Sequence, residues 1–228
     1  MGFTELTFFF ILLPLSIAIY LLADCIIHKA VVNNAVLVVF NLAVYYWASK
    51  ETLAVFLAIV GWTYLTGRIA STDKRWRSLQ LPVICLVGCL AFYKYASFIV
   101  TSINELTGRE IIRLSQFAIP IGISFVVFEA ISYVVDIYRG DAEPGTLLDC
   151  LMFLSLFPKL VSGPIVQWKD FYAQLSARKI SAEKVSRGLD RIIIGYAKKL
   201  IIADTFGSQI LLINSGLLSG AGIDQATY

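Results

Sequence analysis

Glu129, Ser132 and Asp136 lie in a largely apolar run at about 117–138, and Arg139 follows directly after it. At 100° per residue they fall within an arc of about 80°, so a helix over this run carries them as one stripe. A carboxylate near a bilayer centre costs on the order of 3 kcal/mol on insertion scales, so the stripe is expected to turn away from lipid. Glu129 falls near the middle of the run. Asp136 and Arg139 fall near its end, where their i, i+3 spacing also lets them pair. The stripe is either a structural cluster that orders neighbouring helices or one wall of a substrate or donor channel. A second group, Pro158, Lys159, Ser162, Gly163 and Pro164, breaks the apolar run at about 146–166. Proline and glycine there free backbone polar groups that lipid does not satisfy. Lys159 either snorkels to the cytoplasmic surface or supplies a positive charge to a pocket for an anionic donor.

Other chemistry is sparse. The single histidine, His28, stands beside Lys29 at the end of the first apolar run and reads as interfacial. Cys85 and Cys89 lie one helical turn apart with no histidine or carboxylate beside them, which suits packing better than a metal. No metal site, cofactor-binding loop, Gly-rich phosphate loop or nucleophile elbow is expected.

The elements that must carry these groups are membrane helices. Of 228 residues 58% are hydrophobic and only 15% charged, where soluble domains run about 45–50% and 25%. This composition excludes an ordinary soluble enzyme, a disordered tail and a nucleic-acid-binding module. The net charge of +3 reads as loop charge on the cytoplasmic side. Apolar runs at about 8–23, 31–48, 52–67, 79–101, 117–138 and 189–218 predict about six transmembrane helices, with 146–166 as a re-entrant segment. The expectation is an all-α polytopic membrane protein, residues 1–228 forming a single membrane domain. The first run is preceded by Glu5 rather than by a basic segment, and is expected to be a retained helix rather than a signal peptide.

Orientation follows from the loops. Arg68, Lys74, Arg75 and Arg77 mark the cytoplasmic side, which places the N-terminus outside and the Arg139–Pro144 turn inside. A full crossing at 146–166 would then export Lys169, Arg178, Lys179, Lys184 and Arg187, against the same rule. A segment that enters from the cytoplasm and returns removes the conflict. Residues 168–188 then read either as a basic amphipathic helix on the inner membrane surface, with Trp168, Phe171 and Tyr172 at the interface, or as a cytoplasmic loop.

Without any resemblance, the chain fits a transporter or scaffold with a polar helix-bundle interior as readily as an enzyme. Three stretches carry a resemblance: PIGISFVVFEAISYVVDIYRG from Pro120 to Gly140, LFPKLVSGPI from Leu156 to Ile165, and GYAKKLIIAD from Gly195 to Asp204. In order and spacing they resemble the membrane-bound O-acyltransferase family, in its bacterial branch of alginate O-acetyltransferases and teichoic acid D-alanyl transferases. The resemblance implies a helical ring around a thin centre. There an acyl thioester donor, free or on an acyl-carrier protein, would meet an exported polysaccharide or wall-polymer hydroxyl. It implies membrane lipid and periplasmic proteins as partners, a bacterial inner membrane, and a donor that serves as co-substrate with no cofactor. The family's catalytic histidine lies downstream of these motifs, so it is expected beyond Tyr228 and the chain alone is expected to be inactive. Glu129, Ser132, Asp136, Arg139, Lys159, Ser162, Gly163 and Pro164 become candidates for lining the donor channel.

Overall fold

The computed structural model describes residues 7–107, 118–160, 163–175 and 181–221. Among them the chain is all-α, in two compact units that divide between Arg178 and Lys179. Three helical stretches are long and apolar enough to cross a bilayer: Phe10–Ile27, Ala30–Thr72 and Trp76–Thr107. The most apolar part of the third has 6% of its residues buried, so its hydrophobic surface has lipid as its natural solvent. This is a membrane protein.

In the first unit a π-helical turn, Phe8–Leu12, leads into α1, Leu13–Ile27. His28 ends α1 in the left-handed conformation at φ 52°, its N–H donating to the Asp24 carbonyl at 3.2 Å. Helix α2, Ala30–Ser49, is tied back to α1 by the Asn33 amide, which donates to the Asp24 carboxylate at 2.6 Å. The middle apolar stretch is two helices. A continuous helix would hold Tyr45 and Phe56 about 16 Å apart along its axis, yet their rings stack at 4.6 Å. The chain therefore reverses at Ser49 and the 3-10 turn Lys50–Thr52 before α3, Leu53–Thr72. The polar tetrad Ser49-Lys50-Glu51-Thr52 supplies that turn, with the Ser49 and Thr52 hydroxyls 2.8 Å apart. Helix α4, Trp76–Thr107, follows.

Helix α5, Ile123–Arg139, is the centre of this unit and packs against α3 and α4. Val127, Ala130, Tyr133 and Val134 are wholly buried. Close approach to α3 requires Gly67, because a Cβ there would run into the Tyr133 ring. Gly122 at φ 66° and Gly140 at φ 84° bracket α5 in the left-handed region that glycine tolerates best. Lys74 donates to the carbonyls of Ile137 and Tyr138 at 3.0 and 2.7 Å, placing a cation at the C-terminal end of the helix.

The interrupted run folds as α6, Leu147–Ser155, and the single turn α7, Phe157–Leu160, separated at Leu156, where ψ is 103°. A capping box of Thr146 and Asp149 starts α6. Together α6 and α7 reach only about 20 Å as helix, short of the roughly 30 Å hydrocarbon core. At the break the freed Phe157 N–H meets the Asn41 side-chain carbonyl of α2 at 3.5 Å. The chain returns through Gly163 to α8, Trp168–Leu175. The Trp168 indole N–H donates to the Glu143 carbonyl at 3.0 Å, and a Cβ on Gly145 would touch the Trp168 ring. The two ends of the segment thus lie side by side.

The second unit is α9, Ala182–Lys198, a π-helical turn Lys199–Ala203, and α10, Asp204–Ala221.

Candidate functional site

The polar stripe and the broken segment meet. Lys159 on α7 places its ammonium 2.5 Å from the Glu129 carboxylate on α5. Their side chains are 5% and 3% exposed. Lys159 therefore does not snorkel, and its charge is already taken by Glu129 rather than left free for an anionic donor. The Phe153 ring covers the ammonium at 4.1 Å and the Phe171 ring lies at 5.6 Å, so two cation–π faces complete the enclosure. The turn that presents Lys159 needs Gly163, whose absent side chain leaves room for the Lys159 backbone; a Cβ there would collide with the Lys159 Cα. The Gly163 N–H donates back to the Lys159 carbonyl at 3.3 Å. Pro164 follows at the surface, and Ser162 lies outside the described residues.

The rest of the stripe has a different task. The Trp168 N–H donates to the Ser132 hydroxyl and the Lys169 N–H to the Asp136 carboxylate, each at 3.1 Å. Ser132 donates to that same carboxylate at 3.1 Å. These are the first two backbone donors of α8, so Ser132 and Asp136 cap it from a neighbouring helix and set an acidic group at its N-terminus. Arg139 does not join them. It is exposed and forms no ion pair among the described residues, and the Asp136 carboxylate is occupied by Ser132 and the Lys169 N–H. The expected Asp136–Arg139 pairing is replaced by the α8 cap.

Trp168 also departs from its expected interfacial position. It is wholly buried, with its ring 4.6 Å from Tyr133, 5.2 Å from Phe153 and 5.3 Å from Tyr172. The Tyr172 hydroxyl donates to the Glu143 carboxylate at 3.4 Å. Burial, reinforced by that carboxylate, holds the Tyr172 phenol above its ordinary pKa, so it remains a donor. Residue types alone singled out Trp168 and Tyr172 as interfacial aromatics but not their packing against Tyr133 and Phe153, nor Asn41. Two opposite charges in consecutive apolar segments, Glu129 and Lys159, were the available signal that a buried pair would form. Among the described residues no group of histidine, cysteine and carboxylates is arranged to hold a metal ion.

The site is therefore a lock. One ion pair and one two-residue cap hold both arms of the folded-back segment against α5, and the lock joins the two stretches 120–140 and 156–165. Relatives share this stretch of chain. It is 35% identical over 215 residues to a probable alginate O-acetylase AlgI of Pseudomonas putida, a match covering 90% of this chain and 43% of that protein. A Helicobacter pylori peptidoglycan O-acetyltransferase matches 96% of the chain at 24% identity, covering 46% of its own length. A Streptococcus thermophilus teichoic acid D-alanyltransferase matches 93% at 25%, covering 49% of its own. Along nearly its whole length this chain is similar to enzymes of the membrane-bound O-acyltransferase type. No family model and no solved structure matches it. The chain spans less than half the length of these O-acyltransferase relatives. Its single histidine, His28, lies exposed at the end of α1, separate from the residues of the lock.

Proposed function

We propose that this chain is the portion of a membrane-bound O-acyltransferase that builds the donor side of its channel. The reaction moves an acyl group, acetyl by analogy with the alginate acetylases, from a cytoplasmic thioester to a hydroxyl of an exported polysaccharide or wall polymer. The hydroxyl oxygen attacks the thioester carbonyl, the C–S bond breaks, the thiolate leaves, and the hydroxyl proton passes to a base. By the family resemblance that base is a histidine C-terminal to the three motifs, and no residue of this chain is assigned a proton transfer. Its own residues position. The observation that carries this reading is the buried Lys159–Glu129 pair. It fixes a broken, re-entrant backbone inside a membrane domain, where irregular backbone persists only against protein or a watery cavity.

In this reading the protein lies in a bacterial inner membrane, crosses it several times with its N-terminus outside, and works with an acyl donor or acyl-carrier protein and periplasmic partners. The test is the ester-linked acyl content of the exported polymer in cells with the gene deleted and then restored. Loss on deletion and recovery on restoration are expected. Unchanged acylation in the deletion strain, with no other family member expressed, would overturn the reading.

A further inference from the structure

We infer that α9 is a membrane-surface helix whose basic stripe binds anionic lipid headgroups, an interaction that stands apart from acyl transfer. At 100° per residue, Val185, Leu189, Ile192, Ile193 and Tyr196 fall within an arc of about 100°. Lys184, Arg187, Arg191 and Lys198 fall within about 60° on the opposite side. No residue of α9 is buried, and Leu189 and Ile193 are 49% and 65% exposed. Ile194 is the one large aliphatic outside the apolar arc. A soluble helix with such a face needs a protein partner, whereas one at a bilayer surface sinks the face into the headgroup–acyl boundary.

The chain beyond α9 favours the bilayer. After the Lys199–Asp204 ion pair at 2.5 Å, exposed aliphatic and aromatic residues are no longer confined to one arc. Ile201, Ile202, Phe206, Ile210 and Leu211 are all more than half exposed. From the level of Lys199 the exposed apolar residues therefore spread beyond one face, between the polar positions Asp204, Thr205, Ser208 and Gln209, as in a chain dipping below a membrane surface. The i,i+4 bridge from Arg187 to Glu183 at 2.6 Å is almost fully solvated and leaves Arg187 able to exchange carboxylate for phosphate. Basic side chains on the polar face of such a helix strengthen its attachment to anionic lipid.

The test uses the full-length protein in nanodiscs of phosphatidylcholine, with and without phosphatidylglycerol, after Cys25, Cys85 and Cys89 are replaced by Ala. Spin labels are placed separately at Leu189→Cys and Arg191→Cys, and their collisions with oxygen and with an aqueous nickel chelate are compared. The Leu189 label should favour oxygen and the Arg191 label the chelate. The oxygen preference at Leu189 should rise when phosphatidylglycerol is present. That rise should vanish when Lys184, Arg187, Arg191 and Lys198 are all changed to Gln. A Leu189 label shielded from both reagents would mean that protein covers α9, and would overturn the inference. So would an Arg191 label shut off from the chelate in both lipid mixtures, the signature of an acidic protein face, or an oxygen preference indifferent to phosphatidylglycerol.

Discussion

Lys159 and Glu129 are surrounded by apolar side chains, and neither charge is stable there alone. Removing one partner of a buried pair costs about 3–5 kcal/mol, because the other is left charged and desolvated, whereas replacing both with apolar residues of similar size is often neutral. Glu129→Ala and Lys159→Ala should each lower the thermal midpoint of the full-length protein in detergent, and Glu129→Leu with Lys159→Met should restore most of the loss. Single variants that melt like the wild type would show that the pair is not closed. A second prediction concerns His28, the one described residue other than glycine in the left-handed region. His28→Gly should stabilise by up to about 1 kcal/mol, offset in part by the greater freedom of glycine in the unfolded chain. It should leave polymer acylation unchanged, which the same melts and acyl measurements would check. Glu129 was legible as a residue that needs a partner. Its partner was signalled only by the opposite charge in the next apolar segment, since Lys159 is 30 positions away and the break at Leu156 is what turns it inward.

At the scale of elements, α5 is held by close approaches that a single methyl group distinguishes. Gly61 and Gly67 lie on the same helix, α3, but a Cβ at Gly61 meets nothing within 4 Å while one at Gly67 meets the Tyr133 ring. Gly61→Ala should therefore stabilise by up to about 1 kcal/mol through helix propensity. Gly67→Ala should destabilise, measured as opposite shifts of the thermal midpoint. The cap on α8 gives a local readout. Asp136→Ala removes the acceptor of the Lys169 N–H and should cost about 1–2 kcal/mol, with faster hydrogen exchange at Trp168 and Lys169. Arg139→Ala should leave that exchange unchanged. The long apolar runs were readable because a membrane helix is written into some twenty consecutive residues, and the gap between the runs 31–48 and 52–67 marked the α2–α3 reversal. The burial of Trp168 was not readable, because a tryptophan beside Lys169 and Asp170 has the composition of an interfacial anchor. The rings of Tyr133, Phe153 and Tyr172, the close approach of Gly145 and the Glu143 carbonyl make a pocket for it only once the chain has folded back.

For the whole molecule, the re-entrant geometry predicts a topology that a full crossing does not share. Cysteines introduced at the exposed positions Asp141 and Gln167 should be labelled from the same side of the membrane by an impermeant maleimide, and labelling from opposite sides would refute the returning segment. The same geometry joins two stretches whose resemblance to acyltransferases was visible as text but whose physical connection was not. Recognition of the motifs came from residue types in order, while their joint action depends on an ion pair that forms only when α7 folds back on α5. The most direct measurement is the ester-linked acyl content of the exported polymer in cells expressing the full-length protein as wild type, as Lys159→Ala, and as the exchanged pair Lys159→Glu with Glu129→Lys. The account predicts wild-type acylation to fall steeply in Lys159→Ala and to recover in part when the charges are exchanged. Full acylation in Lys159→Ala, at equal protein level, would contradict the claim that this lock shapes the channel.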